Sequence, residues 1–244
     1  RGLNQWTIEE VSITLATGIR DYPGGTLTMT VGSSASFSVG ETLTGGTSAA
    51  TASVTSKPSS TTLAITIPSG TFSSGETIIG GTSGASSTLA AAVDLTNVQS
   101  TIDILSAVVT RDSTDFEIER VSRSSFLNIP NKSQSGRPNQ FFLNRQITPV
   151  LQIWPAPEND TDVVKFNRLT RIDDADAYTN TAEVPFRFYP CLTAGLAYYL
   201  SMKRNPQLMG ALKTIYEEEL QRALDEDRDR ASLRISPSYE TYRS

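Results

Sequence analysis

The chain has 244 residues, a formal net charge of −5, one cysteine and no histidine. That length holds one large or two ordinary domains with real cores, and the mild charge leaves no nucleic-acid footprint in the totals. Without histidine, Ser-His-Asp and Cys-His catalysis, imidazole metal sites and imidazole proton shuttles are all excluded.

In chain order, Trp6 and Ile8, then Val11, Ile13 and Leu15, alternate with a phase slip across Glu9-Glu10, which predicts a strand bulged at the slip. Thr17-Gly18 turns it, and Ile19–Pro23 begins a return. The composition then changes abruptly. From Gly24 to Ala90 only Glu41, Lys57 and Glu76 are charged among 67 positions, while 30 are Ser or Thr and 11 are Gly. Composition alone fits a flexible linker, but an internal repeat argues for structure. Phe37-Ser-Val-Gly-Glu-Thr-Leu-Thr-Gly-Gly-Thr-Ser returns as Phe72-Ser-Ser-Gly-Glu-Thr-Ile-Ile-Gly-Gly-Thr-Ser, a period of 35. With one residue of slippage, Thr26-Leu-Thr-Met-Thr-Val matches Thr62-Leu-Ala-Ile-Thr-Ile. Each unit predicts an alternating strand, a Gly-Glu turn, a short strand, a Gly-Gly turn and a further strand. Neither is large enough to bury a core alone, so the two are expected to pack as one β domain over 24–92. Gly45-Gly46 and Gly80-Gly81 lack the Lys and the following helix of a phosphate loop and read as turns.

Charged residues return after Val93. Thr101–Thr110 predicts a buried strand, with Phe116 and Ile118 alternating on its hairpin partner. Ser122 is placed to cap a short helix through Leu127, and Asn128 to Pro138 is loop by its punctuation. Phe141–Asn144, Val150–Trp154 and Val163–Leu169 predict three more strands. Near the C-terminus, Leu192, Leu196, Tyr199 and Leu200 recur at helical spacing, with Pro190 in the first turn. Small residues at Ala194, Gly195 and Ala197 allow close approach of a neighbour. Asn205-Pro206 breaks this helix, and a second follows from about Gln207 with Leu208, Leu212, Ile215 and Tyr216 on one face. The predicted fold is α+β: a small, mostly antiparallel β-sheet core with a C-terminal helical hairpin, plus an inserted all-β repeat domain. The core takes 1–23 and 93–244, with helices at about 190–203 and 207–230 and a tail over 231–244.

The candidates for chemistry are few. Asp173, Asp174 and Asp176 crowd one loop, but a calcium loop counted from Asp174 needs Gly at the sixth position and Glu at the twelfth. Thr179 and Pro185 stand there instead, so a solvated acidic turn is expected. Glu9-Glu10 and Glu217-Glu218-Glu219 offer carboxylate pairs of the kind glycoside hydrolysis uses. Cys191 falls in the helical pattern and reads as a small buried hydrophobe. No catalytic, cofactor-binding or metal-ligating set is expected. Asp225-Glu-Asp-Arg-Asp-Arg alternates signs, as a solvated helix end does and as a subunit contact that fixes register by opposite charges also does. Glu219, on the sector of Leu212 and Ile215, favours the contact reading, which names Glu219, Asp225, Asp227, Arg228 and Arg230. Beyond them, Leu233, Ile235, Tyr239 and Tyr242 form a tail too short to fold alone, with apolar anchors for a partner.

An ordered set of segments resembles the head-to-tail adaptors (connectors) of bacteriophages, the tail tubular protein A-like family of short-tailed phages. The set begins with Trp6-Thr-Ile-Glu-Glu-Val, Thr101-Ile-Asp-Ile-Leu-Ser-Ala-Val-Val, Arg120-Val-Ser-Arg-Ser-Ser-Phe-Leu-Asn-Ile-Pro-Asn-Lys and Gly136-Arg-Pro. It continues with Gln146-Ile-Thr-Pro, Ile153-Trp-Pro-Ala-Pro, Val184-Pro-Phe-Arg-Phe, Ala194-Gly-Leu-Ala-Tyr-Tyr-Leu and Leu220-Gln-Arg-Ala-Leu-Asp-Glu-Asp-Arg. The resemblance covers about Trp6 to Tyr22 and Val93 to Ser236. No single motif is chemically diagnostic; the order is what is specific. Members usually carry helices before the first strand, and this chain begins at Arg1 rather than Met, so an N-terminal piece processed, trimmed or outside this sequence is expected. The 24–92 segment departs from the family as an insertion into a short connection.

The resemblance implies a structural virion protein of the neck and tail, assembled in the host cytoplasm. It would form a homo-oligomeric ring, commonly of twelve subunits, with its helices in the ring body and Leu233, Ile235, Tyr239 and Tyr242 reaching the portal protein. A tail or nozzle protein would be the other partner. DNA would pass through without specific binding during ejection, with no membrane partner. Two other classes stay open: an accessory module whose β insertion binds a host-surface glycan or another tail protein, and a Glu/Asp-based cell-wall hydrolase. Phe37 and Phe72 are the insertion's only aromatics, which leaves few stacking platforms for a sugar.

Overall fold

A computed structural model describes residues 7–172 and 184–227, which fall into two compact units, one ending at Ile172 and the other holding the helical hairpin. The first unit contains three sheets. β1 (Ile8–Thr14), β14 (Val163–Thr170), β9 (Thr101–Arg111) and β10 (Thr114–Glu117) form one, in that order across the sheet. β11 (Glu119–Arg120), β12 (Gln140–Asn144), β13 (Val150–Trp154) and β2 (Asp21–Pro23) form the second, in which only the β11–β12 pair is parallel. A single buried cluster takes Val11, Val109 and Phe166 from the first sheet and Tyr22, Phe141 and Ile153 from the second. The two sheets therefore pack face to face as a sandwich whose inward positions alternate with outward polar ones.

The predicted strands after Val93 form where expected, although β9 is buried on one face only and leaves Ile102 exposed. Ser122 caps α2 (Arg123–Leu127) by accepting the Ser125 N–H at 3.1 Å. The bulge expected at Glu9-Glu10 does not form. β1 runs in unbroken register against β14, from Ile8 opposite Leu169 to Thr14 opposite Val163. The register shifts lie instead between β14 and β9, at Asn167/Arg168 and Leu169/Thr170. The phase slip is real all the same. Glu9 occupies the inward position of its strand, ahead of Val11 and Ile13, because it pairs there with Arg168.

The insertion builds the third sheet from β3 (Thr28–Thr30), β4 (Thr42–Gly45), β5 (Thr51–Ser59), β6 (Thr62–Ile65), β7 (Thr77–Gly80) and β8 (Ser86–Thr88), in the order β3-β6-β5-β4-β7-β8. The outer strands also meet: Val31 bridges Leu89, the Gly32 N–H donates to Thr88 O at 3.0 Å, and the Ala90 N–H donates to Thr30 O at 2.9 Å. The sheet thus closes into a small barrel, which removes its free edges. Its core is separate from that of the sandwich and holds Phe37 and Phe72, Leu43 and Ile78, and Leu27 and Leu63, each pair related by the repeat. A short α1 (Thr96–Gln99), unforeseen in the sequence, adds Val98 to this core.

The second unit is α3 (Tyr189–Arg204) and α4 (Met209–Glu226), with one-turn 3-10 segments at Phe186–Phe188 and Pro206–Leu208. Pro190 lies in the first turn of α3, where its missing N–H is harmless. Asn205, at φ −152°, ends the helix ahead of Pro206.

Candidate functional site

Within the hairpin, the small face of α3 meets α4. Cys191, Gly195 and Ser201 are buried on α3, as Ala223 is on α4. A Cβ on Gly195 would stand 3.0 Å from Tyr216 Cε2, and the Tyr216 ring stacks on Tyr198 with centroids 6.2 Å apart. Glycine lets the second helix come this close. Burial pushes the Cys191 thiol up, reinforced by the charge of Glu219, and burial likewise raises the Tyr216 phenol. Cys191 thus sits in the hairpin as the small buried hydrophobe expected from its place in the helical pattern.

The stripe that first marks α3 as amphipathic lies elsewhere. Leu192, Leu196, Tyr199 and Leu200 are 54, 61, 63 and 54% exposed. The predicted face of the second helix divides: Leu212 and Tyr216 are half-buried, whereas Leu208 and Ile215 are exposed. Among the described residues, the hairpin thus consumes the small-residue face of α3 and leaves its large apolar face exposed.

Of the five charges expected at a subunit contact, Arg228 and Arg230 lie outside the described residues. Glu219 is partly buried and accepts from Arg222 Nη1 at 2.7 Å, and Asp225 accepts from Gln221 Nε2 at 3.0 Å. Asp227 is placed differently. It is buried and forms an ion pair with Arg187, tying the end of α4 to the turn before α3. The anchors Leu233, Ile235, Tyr239 and Tyr242, and the acidic loop Asp173 to Asp176, also lie outside the described residues.

Of the carboxylates weighed for hydrolysis, Glu9, Glu217 and Glu219 are engaged with cations. Arg168 Nη2 meets Glu9 Oε2 at 2.6 Å, and Lys213 Nζ meets Glu217 Oε1 at 3.6 Å. Among the described residues no group of three or more Cys, Asp or Glu side chains is arranged to hold a metal, and no helix is long and apolar enough to cross a membrane.

In the barrel the repeated Gly-Glu and Gly-Gly-Thr-Ser motifs prove to be two halves of one device, and each half acts on the other repeat. The Ser83 and Thr82 N–H groups donate to Glu41 Oε2 at 3.0 and 3.2 Å, Ser83 Oγ bonds both carboxylate oxygens, and the Ser38 N–H donates to Oε1 at 2.6 Å. Glu76 receives the same set from Ser48, Thr47 and Ser73. Burial acts to raise both carboxyls, but these donors outweigh it and hold both below the ordinary value. Gly45 and Gly80 are required here because a Cβ at either would overlap the incoming glutamate and the turn serine. Phe37 and Phe72 are buried, so the insertion's two aromatics lie inside the barrel, away from any sugar on its surface. Sequence reasoning found the repeat but not this exchange, because nothing in one repeat says which turn its glutamate will reach. No protein-family model matches the chain, and no curated protein matches it.

Proposed function

We propose that the chain is a structural subunit of a bacteriophage neck, forming a ring that joins the portal to the tail and surrounds the path of DNA ejection. The observation that carries this reading is the open apolar face of α3. Four large side chains at one-turn spacing stand more than half exposed while the same helix packs its small residues inward. An apolar stripe of this kind marks a docking surface. Its occupant on this reading is the hairpin of a second copy, repeated around the ring. The ordered resemblance to head-to-tail adaptors supports the assembly, as does the mild net charge of −5, since a channel wall should not grip phosphates tightly. Portal contact is assigned to Leu233, Ile235, Tyr239 and Tyr242.

The test is negative-stain microscopy and native mass spectrometry of the full chain mixed with its portal. Closed rings are expected, and Leu196→Asp should abolish them while leaving the monomer folded. A chain that stays monomeric at micromolar concentration with portal present overturns the reading.

A further inference from the structure

The insertion enters the sandwich at Pro23–Thr26 and leaves through α1 into β9. We propose that Arg168 is the pin that fixes the direction of the barrel on the sandwich, so that the insertion is carried as a rigid projection rather than as a tethered module. This holds for a lone chain as for a subunit of a ring.

On β14, Val164, Phe166 and Arg168 follow one another on the inward face, opposite Ile13, Val11 and Glu9 of β1. The third position is where the apolar core ends and the two connections of the insertion cross. Arg168 is 1% exposed there. Its Nε and Nη2 donate to Glu9 Oε2 at 3.1 and 2.6 Å. Its Nη1 donates to Asn97 O at 2.7 Å, Asn97 Oδ1 at 3.2 Å and Thr101 Oγ1 at 2.9 Å. Thr101 Oγ1 donates in turn to Gly24 O at 2.7 Å, and Thr26 Oγ1 bonds Asn97 Oδ1 at 3.2 Å. One guanidinium therefore holds the outgoing connection directly and the incoming one through Thr101. Gly25 passes so close that a Cβ on it would overlap Arg168 Nη1. Five rigid donors in a planar fork suit this task, and a lysine would not span it.

Beside this pin the Gly24 N–H donates to Pro149 O at 2.9 Å, and among the described residues little else sets the angle between the two bodies. Their cores are separate clusters, and no barrel strand pairs with a sandwich strand. Between them, an open cleft of about 510 Å³ separates Gly18–Asp21 from Ser53, Thr66 and Ile67. A second space of about 140 Å³ lies between Ser12–Thr14 and Thr55, Ser56 and Pro58. Facing surfaces that leave such spaces between them, rather than interdigitating, rely on their connections for orientation.

The test is a pair of spin labels on the full chain, at Ser36→Cys on the barrel and Glu117→Cys on β10, in a Cys191→Ser background, with the label-to-label distance distribution read by double electron–electron resonance. The unsubstituted chain should give one narrow distribution. Arg168→Met and Gly25→Val should each widen it at least twofold, while amide protection at Leu43 and Val164 shows that both cores remain folded. Should either variant fail to fold, Glu9→Gln, at the solvent rim of the pin, decides by the same width. A broad distribution in the unsubstituted chain, or an unchanged width in the folded variants, overturns the proposal.

Discussion

Glu41 and Ser83, 42 positions apart, are joined by three hydrogen bonds, two from the Ser83 hydroxyl and one from its N–H. Glu76 and Ser48 repeat the arrangement in reverse, and between the two pairs β4 lies antiparallel to β7, with Thr44 opposite Ile79. The barrel is thus approximately two-fold symmetric, and each repeat is completed by the other. Glu41→Gln or Glu76→Gln replaces a charged acceptor with an amide whose NH2 group confronts N–H donors. Bonds to charged groups contribute about 1.5–3 kcal/mol each, and a buried group left without its partner costs a similar amount. A loss of about 2–3 kcal/mol in barrel stability is expected for either variant, with the double variant less than additive because both act on the β4–β7 junction. Urea dependence of amide exchange at Leu43 and Ile78 measures it, and Glu119→Gln, at an exposed side chain, serves as the control.

The same carboxylates give the barrel a pH dependence whose sign follows from their lowered folded values. Stability from a depressed carboxyl is fully present above the unfolded value, near 4.5, and is lost as pH falls through the folded one. Barrel amides should therefore lose protection progressively below about pH 4.5. No other carboxylate lies in the insertion between Gly24 and Ala92, so in the double Gln variant this slope should vanish. A slope that persists would assign the acid sensitivity elsewhere.

Ala49 sits at φ +55°, and the residue one repeat later, Gly84, sits at φ +66° with nothing within 4 Å of a built Cβ. The left-handed region costs an ordinary L-residue roughly 1–2 kcal/mol, while glycine gives back about 0.5–1 kcal/mol as unfolded-state entropy. Ala49→Gly should then stabilise the barrel by about 0.5–1 kcal/mol, and Gly84→Ala should destabilise it by a similar amount. Opposite signs are the expected result by thermal or urea unfolding.

Asp162 is fully buried, and Arg111 reaches it through Nε at 2.9 Å and Nη2 at 2.6 Å while also meeting Glu158 at 2.6 Å. The Asp162 bonds first, working against burial, then Glu158, raise the Arg111 guanidinium above its ordinary value. Removing one member of such a pair costs about 3–5 kcal/mol, because the other is left buried and uncompensated. Glu158 relieves part of this, so Asp162→Ala should cost about 3 kcal/mol of sandwich stability by urea titration of tryptophan fluorescence. A cost under about 1 kcal/mol would show that Arg111 re-pairs completely with Glu158.

What the sequence made legible was whatever repeats at short range. Alternation located the strands after Val93, the 35-residue period located the barrel strands, and helical spacing with Asn205-Pro206 located the hairpin. What stayed hidden depends on distant partners. Glu9 breaks the alternation of β1 because Arg168, far along the chain, meets it across the sheet, and from one strand alone this resembles a bulge. The turn glycines announced tight turns, but the carboxylate that excludes a side chain at Gly45 belongs to the other repeat. On α3 the apolar spacing showed a helix with two usable faces, and only packing decides which one the hairpin takes.

That decision yields the sharpest test of the assembly surface, because neighbouring residues on α3 should behave oppositely. Gly195 faces Tyr216, and Leu196 faces outward. Gly195→Val places atoms inside the contact with Tyr216, and overpacking of this kind costs about 1–3 kcal/mol, so the hairpin should unfold earlier whether or not subunits associate. Leu196→Ser removes a side chain that the monomer leaves exposed, and monomer stability should change by no more than about 0.5 kcal/mol. If a second copy covers Leu196, each contact loses about 2 kcal/mol of apolar burial, roughly a 30-fold weaker association per interface. Sedimentation velocity across a concentration series, read beside helix melting by circular dichroism, separates the two effects. An association constant unmoved by Leu196→Ser would remove α3 from the subunit interface.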